Sequence, residues 1–243
     1  MLKRFGSYLV NTTRNMVGLA NNSVNHSVVH NNATPFETAT FGMGCFWGAD
    51  CLFGATTGVL RTNVGYSGGT KENPTYRDLG DHTEVISIDY DPTKISYLQL
   101  LDLFWNNHEY GLTKRQKRQY MSLILTHSAE QRDIASKSRD DEQVKRAPEV
   151  IITEIADAQK YYPAEDYHQK YRLQQHKALC QTLGLTAELL QTSYVAAKLN
   201  GYVAGVGGVK QFLAEADSLG LNESQKEYVR HHVAENEGGG LYC

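Results

Sequence analysis

Residues 38–48 read TATFGMGCFWG, and the fold of the chain is decided by what this stretch forms. Residues 38–43 have the pattern of a short strand, and a helix is predicted to begin near Cys45. Gly44 and Gly48 favour a tight strand-to-helix turn. A cysteine at a helix start faces free backbone N–H groups and the positive end of the helix dipole, which lower the pKa of a thiol. The stretch therefore predicts a reactive thiolate at position 45, with a buried structural thiol as the alternative.

Strands and helices alternate on both sides of this stretch. Further strands are predicted at 58–66, 83–90, 119–126 and 149–155. A helix with an apolar stripe is predicted between Tyr97 and Trp105, because Ser96 and Gln99 form a capping box in front of it. A charged helix at 129–145 separates the last two strands. This alternation, with helices packed on a mixed sheet, predicts an α+β or α/β sandwich, of which we expect the α+β class.

The two ends of the chain differ in composition from the part between them. Residues 1–36 contain no Asp or Glu and many Asn and Ser, which is typical of a disordered tail or a mitochondrial-type presequence. Beyond about residue 157 the pattern becomes helical, with a helix at 186–200 that stops at Gly201 and a last helix from Asn222 to about 235. We predict three parts: a tail at 1–36, a core domain at 37–180, and a helical extension at 181–243 with a glycine-rich, cysteine-bearing end.

Composition and charge exclude several classes of function. The chain has 243 residues, 41% of them hydrophobic, and a net charge of -3, so nothing in the charge balance indicates a nucleic-acid partner. No apolar run approaches the roughly 20 residues of a membrane span. The four cysteines lack the spacing of a zinc site and are too few for a disulfide scaffold. The one dense basic run, from Lys114 to Arg118, is typical of a solvated loop. We therefore expect no nucleic acid, membrane or metal as partner.

Glu84 is a second candidate for chemistry. In the predicted strand at 83–90, strict alternation puts Glu84 on the same face as Ile86, Ile88 and Tyr90. Burial against an apolar face disfavours the charged form of a carboxyl, so its pKa rises and it stays protonated near neutral pH. Such a group donates a proton. The alternative is that residue 84 lies at the strand end and reaches water.

The other three cysteines differ in their surroundings. Cys51 lies in the first predicted helix among apolar neighbours, which predicts a core thiol. Cys180 falls in a helical stretch, QHKALC, where packing is the expected role. Cys243 ends a glycine-rich segment and has no evident packing role there. Flexible glycines would let its thiol reach a distant sulfur, as thiol–disulfide exchange requires.

The stretch from Gly44 to Gly48, GCFWG, resembles the signature of the peptide-methionine (S)-S-oxide reductases, methionine sulfoxide reductase A. Five further blocks match the family in the same order: VGYSGG at 64–69, NPTY at 73–76, HTEV at 82–85, FWNNH at 104–108 and YPAEDYHQ at 162–169. The resemblance covers roughly residues 38 to 172. The terminal GLYC is similar to the animal, insect-like branch of the family.

The resemblance implies a ferredoxin-like split βαβ core and reduction of the S epimer of methionine sulfoxide, free or in proteins. The domain at 37–180 would then be the catalytic one. Cys45 would attack the sulfoxide sulfur, and Glu84 would protonate the sulfoxide oxygen. Tyr76 and Tyr120 would hydrogen-bond that oxygen.

The resemblance also implies how the substrate is held and how the enzyme is recycled. Phe46 and Trp47 would form the pocket for the substrate's methyl group, and His168 would lie near the site. The family places a resolving cysteine downstream of the His168 position, and we expect Cys243 in that role, with Cys180 as the alternative. Thioredoxin or another dithiol would supply the electrons, with no metal or organic cofactor.

Two other functions remain as alternatives. Cys45 with His168 would also suit a thiol peroxidase or a cysteine hydrolase. The second alternative is a catalytically inactive module that binds methionine-rich proteins. We expect a monomer located in the cytoplasm, and the acid-free N-terminal segment also allows mitochondria.

Overall fold

A computed structural model describes residues 28–31 and 33–240 of the chain. Its strands are Glu37–Met43 (β1), Val59–Ser67 (β2), Thr83–Tyr90 (β3), Ser122–Thr126 (β4), Glu154–Asp157 (β5) and Tyr162–Pro163 (β6). Its helices are Phe46–Ala55 (α1), Tyr97–Asn106 (α2), Ala129–Arg146 (α3), Tyr171–Gln174 (α4), Lys177–Thr182 (α5), Ala187–Thr192 (α6), Tyr194–Val203 (α7), Gly208–Glu215 (α8) and Glu223–Asn236 (α9). Short 3-10 turns occur at Arg118–Tyr120, Asp166–His168 and Ala216–Leu219. Within these described ranges, no helix has the length and apolarity needed to cross a bilayer.

The six strands form one mixed sheet in the order β5-β4-β1-β3-β2-β6. Among the four central strands, β4, β1, β3 and β2, every adjacent pair is antiparallel. Helix α1 connects β1 to β2 and helix α2 connects β3 to β4, which is the ferredoxin-like split βαβ arrangement. Strand β5 adds in parallel beside β4, and β6 adds antiparallel beside β2. The predicted α+β class, with this core and a helical C-terminal region, is confirmed.

The main core lies between the sheet and the helices α1 and α2. Phe41 of β1 is fully buried, and its ring lies 5.8 Å from Phe53 of α1 and 5.2 Å from Phe104 of α2, measured between centroids. Helix α2 starts with the predicted capping box, in which Ser96 and Gln99 each accept the other's backbone N–H. The apolar stripe of α2 therefore meets the face of the sheet that β1 supplies.

A second core forms where the C-terminal helices pack together and against the end of α1. Its fully buried members include Leu179 of α5, Leu199 of α7 and Val229 of α9, together with Ala55 of α1. Helix α1 thus contributes to both cores.

One helix of this region differs from its prediction. We expected a single helix at 186–200 that stops at Gly201, and this was wrong. Ser193 ends α6 and caps α7, accepting a hydrogen bond from the Ala196 N–H, so there are two helices. Helix α7 then continues through Gly201 to Val203. Gly201 lies at the crossing with α1, where a Cβ atom would overlap the carbonyl oxygen of Cys51.

Two strand boundaries also differ. Residues 118–120 form a 3-10 turn, so β4 begins at Ser122 rather than at 119. Strand β5 begins at Glu154, which pairs in parallel with Leu123, rather than at 149. The residues before it run beside the segment that follows α2, because the Ile152 N–H donates to the Leu112 carbonyl.

Part of the predicted tail contacts the helical region. The Val29 N–H donates to the Leu219 carbonyl at 3.3 Å, and the Tyr194 N–H donates to the His30 carbonyl at 2.9 Å. Residues 28–31 therefore run along the second core. Of the predicted tail, residues 1–27 and residue 32 lie outside the described residues, as do residues 241–243.

Candidate active site

Cys45 lies at the junction between β1 and α1. It is the N-cap residue of the helix, with an extended backbone, and its side chain makes no capping hydrogen bond. Gly44 before it has a φ of 85°, which a residue with a side chain rarely adopts, so the turn requires glycine. Cys45 is half-buried and takes part in a disulfide, whereas Cys51 and Cys180 are free thiols. The strand-to-helix turn thus presents the Cys45 sulfur beside the helix N-terminus.

Glu84 is buried on β3, with 1% of its surface exposed, rather than solvated at the strand end. Its Oε2 accepts a hydrogen bond from the Phe46 N–H at 3.2 Å, and its Oε1 accepts one from Gln119 Nε2 at 2.8 Å. Burial raises the pKa of Glu84 to about 7, and the two hydrogen bonds oppose that rise. Glu84 therefore keeps its proton to a higher pH than an exposed glutamate does, next to the residue that follows Cys45.

A cavity of about 360 Å³ opens at this junction. The residues that line it are Gly44, Cys45, Phe46, Trp47, Tyr76, Glu84, Tyr110, Gln116 and Tyr120. The structure thus brings six of the expected site residues together from four separate segments. Tyr110 and Gln116 were not predicted, since no pattern in the sequence distinguishes them from other loop residues.

Two phenols face the cavity from loops. Tyr76 lies between β2 and β3, is 39% exposed, and its backbone N–H donates to Glu165 Oε1 at 3.0 Å. Tyr120 ends the 3-10 turn before β4. Burial, the Glu84 carboxylate and the neighbouring Tyr76 raise the pKa of Tyr120 to about 12. The Tyr120 hydroxyl therefore keeps its proton at neutral pH and can donate it in a hydrogen bond.

His168 lies behind the cavity wall rather than on it. Its side chain is buried and packs on Phe46, Trp47 and Tyr76, with ring centroids 4.7 to 5.7 Å apart. Trp47 Nε1–H donates to His168 Nδ1 at 3.1 Å, so the neutral imidazole carries its proton on Nε2. Burial lowers the pKa of His168, which favours this neutral form. The histidine therefore fixes the orientation of the Trp47 ring.

Glu165 connects these aromatic residues, although sequence reasoning gave it no role of its own. Its Oε2 accepts a hydrogen bond from the Tyr66 hydroxyl at 2.7 Å and lies 3.9 Å from His168 Nε2. Its Oε1 accepts the Tyr76 N–H. One carboxylate thus anchors the Tyr76 loop beside the ring that supports Trp47.

A buried ion pair holds α1 against β2. Lys170 Nζ lies 3.1 Å from Asp50 Oδ1, and both side chains are at most 1% exposed. The Thr62 hydroxyl donates to the same Asp50 oxygen at 2.7 Å, and the Lys170 N–H donates to the other at 3.0 Å. Because these contacts satisfy the buried charges, they fix the helix whose first turn carries Cys45 and Trp47.

The remaining described cysteines are protected thiols. Cys51 is buried in the core, as predicted, where burial raises the pKa of its thiol and Asn200 Nδ2 lies 3.5 Å from its sulfur. Burial raises the pKa of Cys180 to about 11, and its sulfur donates to the Leu173 carbonyl at 3.2 Å. Cys243 lies outside the described residues. In the part of the chain that the structure describes, no group of three or more His, Cys, Asp or Glu side chains is arranged to hold a metal ion.

The glycine-rich segment after α9 returns to α1. Gly239 and Gly240 line a cavity of about 180 Å³ together with Gly48 and Cys51 of α1. The last described residues therefore lie beside the first two turns of the helix that Cys45 caps.

Two family models match the chain. One, described as "Peptide methionine sulfoxide reductase", matches residues 37–198. The other, described as "Selenoprotein methionine sulfoxide reductase A, helical domain", matches residues 184–234. Together they span both cores of the structure.

Individual proteins show the same likeness. A Drosophila melanogaster protein named peptide methionine sulfoxide reductase is 63% identical over 220 residues, which are 90% of this chain and 89% of that protein. An Arabidopsis thaliana protein named peptide methionine sulfoxide reductase A5 is 42% identical over 188 residues, 75% of this chain and 74% of that protein. Among solved structures, methionine sulfoxide reductase A of Corynebacterium diphtheriae is 34% identical, with a TM-score of 0.52 over 58% of this chain and 76% of that one.

Proposed function

The chain belongs to the peptide methionine sulfoxide reductase family, and from this membership we propose that it reduces the S epimer of methionine sulfoxide, free or in proteins, with Cys45 as the nucleophile. One observation carries the proposal: Cys45 and Glu84 line the same cavity, and the Phe46 N–H donates to the Glu84 carboxyl at 3.2 Å. A thiol at a helix start and an acid with a pKa near 7 therefore face one space.

In the first step, the Cys45 thiolate attacks the sulfoxide sulfur while Glu84 transfers its proton to the sulfoxide oxygen. Hydrogen bonds from the Tyr76 and Tyr120 hydroxyls polarise the same oxygen. The attack joins the Cys45 sulfur to the substrate sulfur. As the oxygen, with its proton, moves to the Cys45 sulfur, this S–S bond and the substrate's S–O bond break, which leaves Cys45 as a sulfenic acid. The two electrons that the cysteine sulfur loses reduce the sulfoxide to a thioether, which is methionine.

The substrate side chain would be held by apolar contact. Phe46 is buried and Trp47 half-buried at the cavity wall, so their rings offer an apolar surface to a methyl group. His168 supports this surface through its hydrogen bond with Trp47. We assign His168 a positioning role on the substrate side of the site.

In the second step, we assign Cys243 as the resolving cysteine. Its thiol condenses with the sulfenic acid, which forms an S–S bond and releases water. Cys45 is disulfide-bonded while Cys51 and Cys180 are free, which supports this choice over either of those residues. The pKa of Cys180, about 11, and its burial also make it a poor nucleophile.

The reach of the chain supports the same assignment. Cys243 is three residues beyond Gly240, and Gly48 is three residues beyond Cys45. Gly240 and Gly48 line one cavity, and three extended residues span about 10 Å. The Cys243 thiol is therefore within tether length of the Cys45 sulfur.

An external dithiol completes the cycle by thiol–disulfide exchange, and we propose thioredoxin as that dithiol. The sum of the steps converts methionine sulfoxide and a dithiol into methionine, a disulfide and water. The electrons pass only through sulfur, so we propose that no metal or organic cofactor takes part.

Location and assembly are part of the proposal. We propose that the protein is a monomer and that it is located in the cytoplasm. A mitochondrial location is the second proposal, because the acid-free segment at 1–36 is compatible with a presequence. Cell fractionation of the full chain, with and without residues 1–36, decides between the two compartments.

The test is reduction of the separate S and R epimers of a methionine sulfoxide peptide, driven by dithiothreitol or by thioredoxin. We expect turnover of the S epimer alone and none in Cys45→Ser. Cys243→Ser should keep its dithiothreitol-driven activity but lose about 100-fold with thioredoxin, because the tethered second thiol is gone. Cys180→Ser, the matched control, should behave as wild type.

Other outcomes separate the alternatives. Full thioredoxin activity in Cys243→Ser, with loss in Cys180→Ser, would move the resolving role to Cys180. Turnover of hydrogen peroxide or an ester without any sulfoxide reduction would indicate a peroxidase or a hydrolase. Sulfoxide binding without turnover, unchanged in Cys45→Ser, would indicate a binding module.

A further inference from the structure

Three unpaired cations lie on the loop that borders the catalytic cavity. Lys114, Arg115 and Lys117, here called the basic rim, are exposed, and none of them has an ion-pair partner within residues 33–240. Arg118, the next residue, is different because it is bound to Glu154 and to the Gly68 carbonyl. The run that sequence alone assigned to a solvated loop therefore keeps three charges available.

The rim is continuous with the cavity. Gln116, which lies between Arg115 and Lys117, lines the cavity beside Cys45 and Glu84. Tyr110 lines that cavity and also a neighbouring one of about 290 Å³, to which Lys114 contributes. A peptide that leaves the catalytic cavity past Tyr110 therefore meets the basic rim.

Acidic side chains in the neighbouring cavity reduce this positive charge but do not cancel it. The carboxylates there are Glu109 and Glu149, and Lys114 is the rim cation that lines the same cavity, while Arg115 and Lys117 lie outside its lining. Arg146 also lines that cavity, but its charge is already engaged by Glu142 at 2.8 Å. The segment from Lys114 to Lys117 carries three positive charges and no negative one, on a chain with a net charge of -3.

We propose that the basic rim selects peptide substrates in which acidic residues flank the methionine sulfoxide. The inference rests on the proposed function and names its preferred substrate class. The sulfoxide side chain is neutral, so any recognition by charge must act on its neighbours in the peptide. An extended peptide advances about 3.3 Å per residue, so positions one to three residues from the sulfoxide fall within reach of long lysine and arginine side chains.

The test compares S-sulfoxide peptides of equal length whose flanking residues are Asp and Glu, Asn and Gln, or Lys. At low ionic strength we expect kcat/KM to favour the acidic over the neutral peptide by about tenfold, mainly through KM, because several exposed ion pairs add modest attractions. High salt should reduce that ratio to about twofold, because it screens exposed charges. The Lys-flanked peptide should be the poorest substrate.

A matched pair of variants locates the effect. In the triple variant Lys114→Gln, Arg115→Gln, Lys117→Gln, the ratio of kcat/KM for the acidic peptide to kcat/KM for the neutral peptide should fall close to one. Because both values are measured on the same variant, a general loss of activity does not change this ratio. The control Lys137→Gln, Arg139→Gln, Lys145→Gln removes the same number of charges from α3 and should keep the wild-type ratio. Lys137 and Lys145 are exposed and Arg139 is partly exposed, and each of the three forms an ion pair within the helix.

Three results would overturn the inference, and they differ from one another. Equal kcat/KM for all three peptides in an active wild-type enzyme would show that the basic rim does not contribute to substrate recognition. The proposed function would be unaffected. No activity on any peptide or on free methionine sulfoxide would refute the proposed function as well. A ratio that survives in the rim variant and disappears in the α3 control would place recognition elsewhere.

Discussion

Glu84 is subject to two opposing influences whose balance sets the chemistry of the site. Burial disfavours the carboxylate and raises the pKa to about 7. The N–H donors of Gln119 and Phe46 stabilise the carboxylate and limit that rise. Without them the acid would stay protonated well above neutral pH and would be a weaker proton donor, because a good general acid has a pKa near the working pH.

A first prediction follows from Gln119. Gln119→Leu removes the 2.8 Å hydrogen bond to Glu84 Oε1, which stabilises only the charged form, so the pKa of Glu84 should rise above 7. The protonated acid is the active form, and the falling limb of the pH–rate profile should therefore move to higher pH. A hydrogen bond to a charged group is worth roughly 1.5 kcal/mol, so we expect a shift of about one unit.

The measurement is single-turnover reduction of methionine sulfoxide by pre-reduced enzyme between about pH 5 and 9, in steps well below the expected shift. Gln181→Leu, which changes an exposed glutamine on α5, is the control and should leave the limb in place. A limb that stays fixed or moves to lower pH in Gln119→Leu would show that Glu84 is not the group that titrates.

Local patterns were sufficient to predict some residues of the site and not others. Cys45 and Glu84 follow from a strand-to-helix junction and from strand alternation, which are properties of a few neighbouring residues. Glu165 and Tyr110 do not, because their positions depend on packing between segments far apart in the chain. The Tyr76–Glu165 hydrogen bond joins residues 89 positions apart, and no short pattern records it.

At the scale of the helix and strand, prediction succeeded where an end is set by its own residues. The capping boxes at Ser96 and Asn222 mark the starts of α2 and α9 as expected. Gly201 was misjudged because glycine has two uses: it ends helices, and it allows two helices to approach closely. At Gly201 the close approach of two helices is the use that applies. It can be recognised only from the position of the neighbouring helix α1.

The crossing of α1 and α7 leads to a second prediction. Alanine favours a helix interior over glycine by about 1 kcal/mol, so Gly201→Ala would stabilise a helix that had room for it. A Cβ at this position instead overlaps the Cys51 carbonyl of α1. Overpacking of this kind costs about 1–3 kcal/mol, and a clash with backbone belongs at the upper end of that range. After subtraction of the alanine gain, we expect net destabilisation of about 2 kcal/mol. Urea unfolding of the reduced protein measures it.

Gly54 provides the matching control from the other helix. A Cβ at Gly54 overlaps the Ala197 carbonyl of α7, so Gly54→Ala should also destabilise the protein. If one substitution pushes the helices apart, the second gains room, and the double variant should lose less than the sum of the two. Stabilisation by Gly201→Ala would mean that the helices do not meet at this point.

Across the whole molecule, α1 joins the two cores. Phe53 belongs to the first core and Ala55 to the second. Polar contacts strengthen the connection, because the buried Lys198 Nζ donates to the Ala55 and Thr56 carbonyls at 3.3 and 3.1 Å. The predicted boundary near residue 181 thus separates stretches of sequence, while the packing on either side of it is shared.

This shared helix predicts that the two parts unfold together. Leu219→Ala removes a fully buried side chain from the second core and should cost about 2–5 kcal/mol. Both tryptophans, Trp47 and Trp105, pack in or against the first core, and Trp47 also stacks on Tyr171 of α4, so Trp105 is the fluorophore that reports on the first core. If the molecule is one cooperative unit, the fluorescence midpoint in urea should fall together with the circular dichroism midpoint.

If the helical region is an independent domain, Leu219→Ala should split the circular dichroism transition and leave the tryptophan midpoint at its wild-type value. Leu213→Ala on α8, where the leucine is 55% exposed, is the control and should change neither midpoint appreciably.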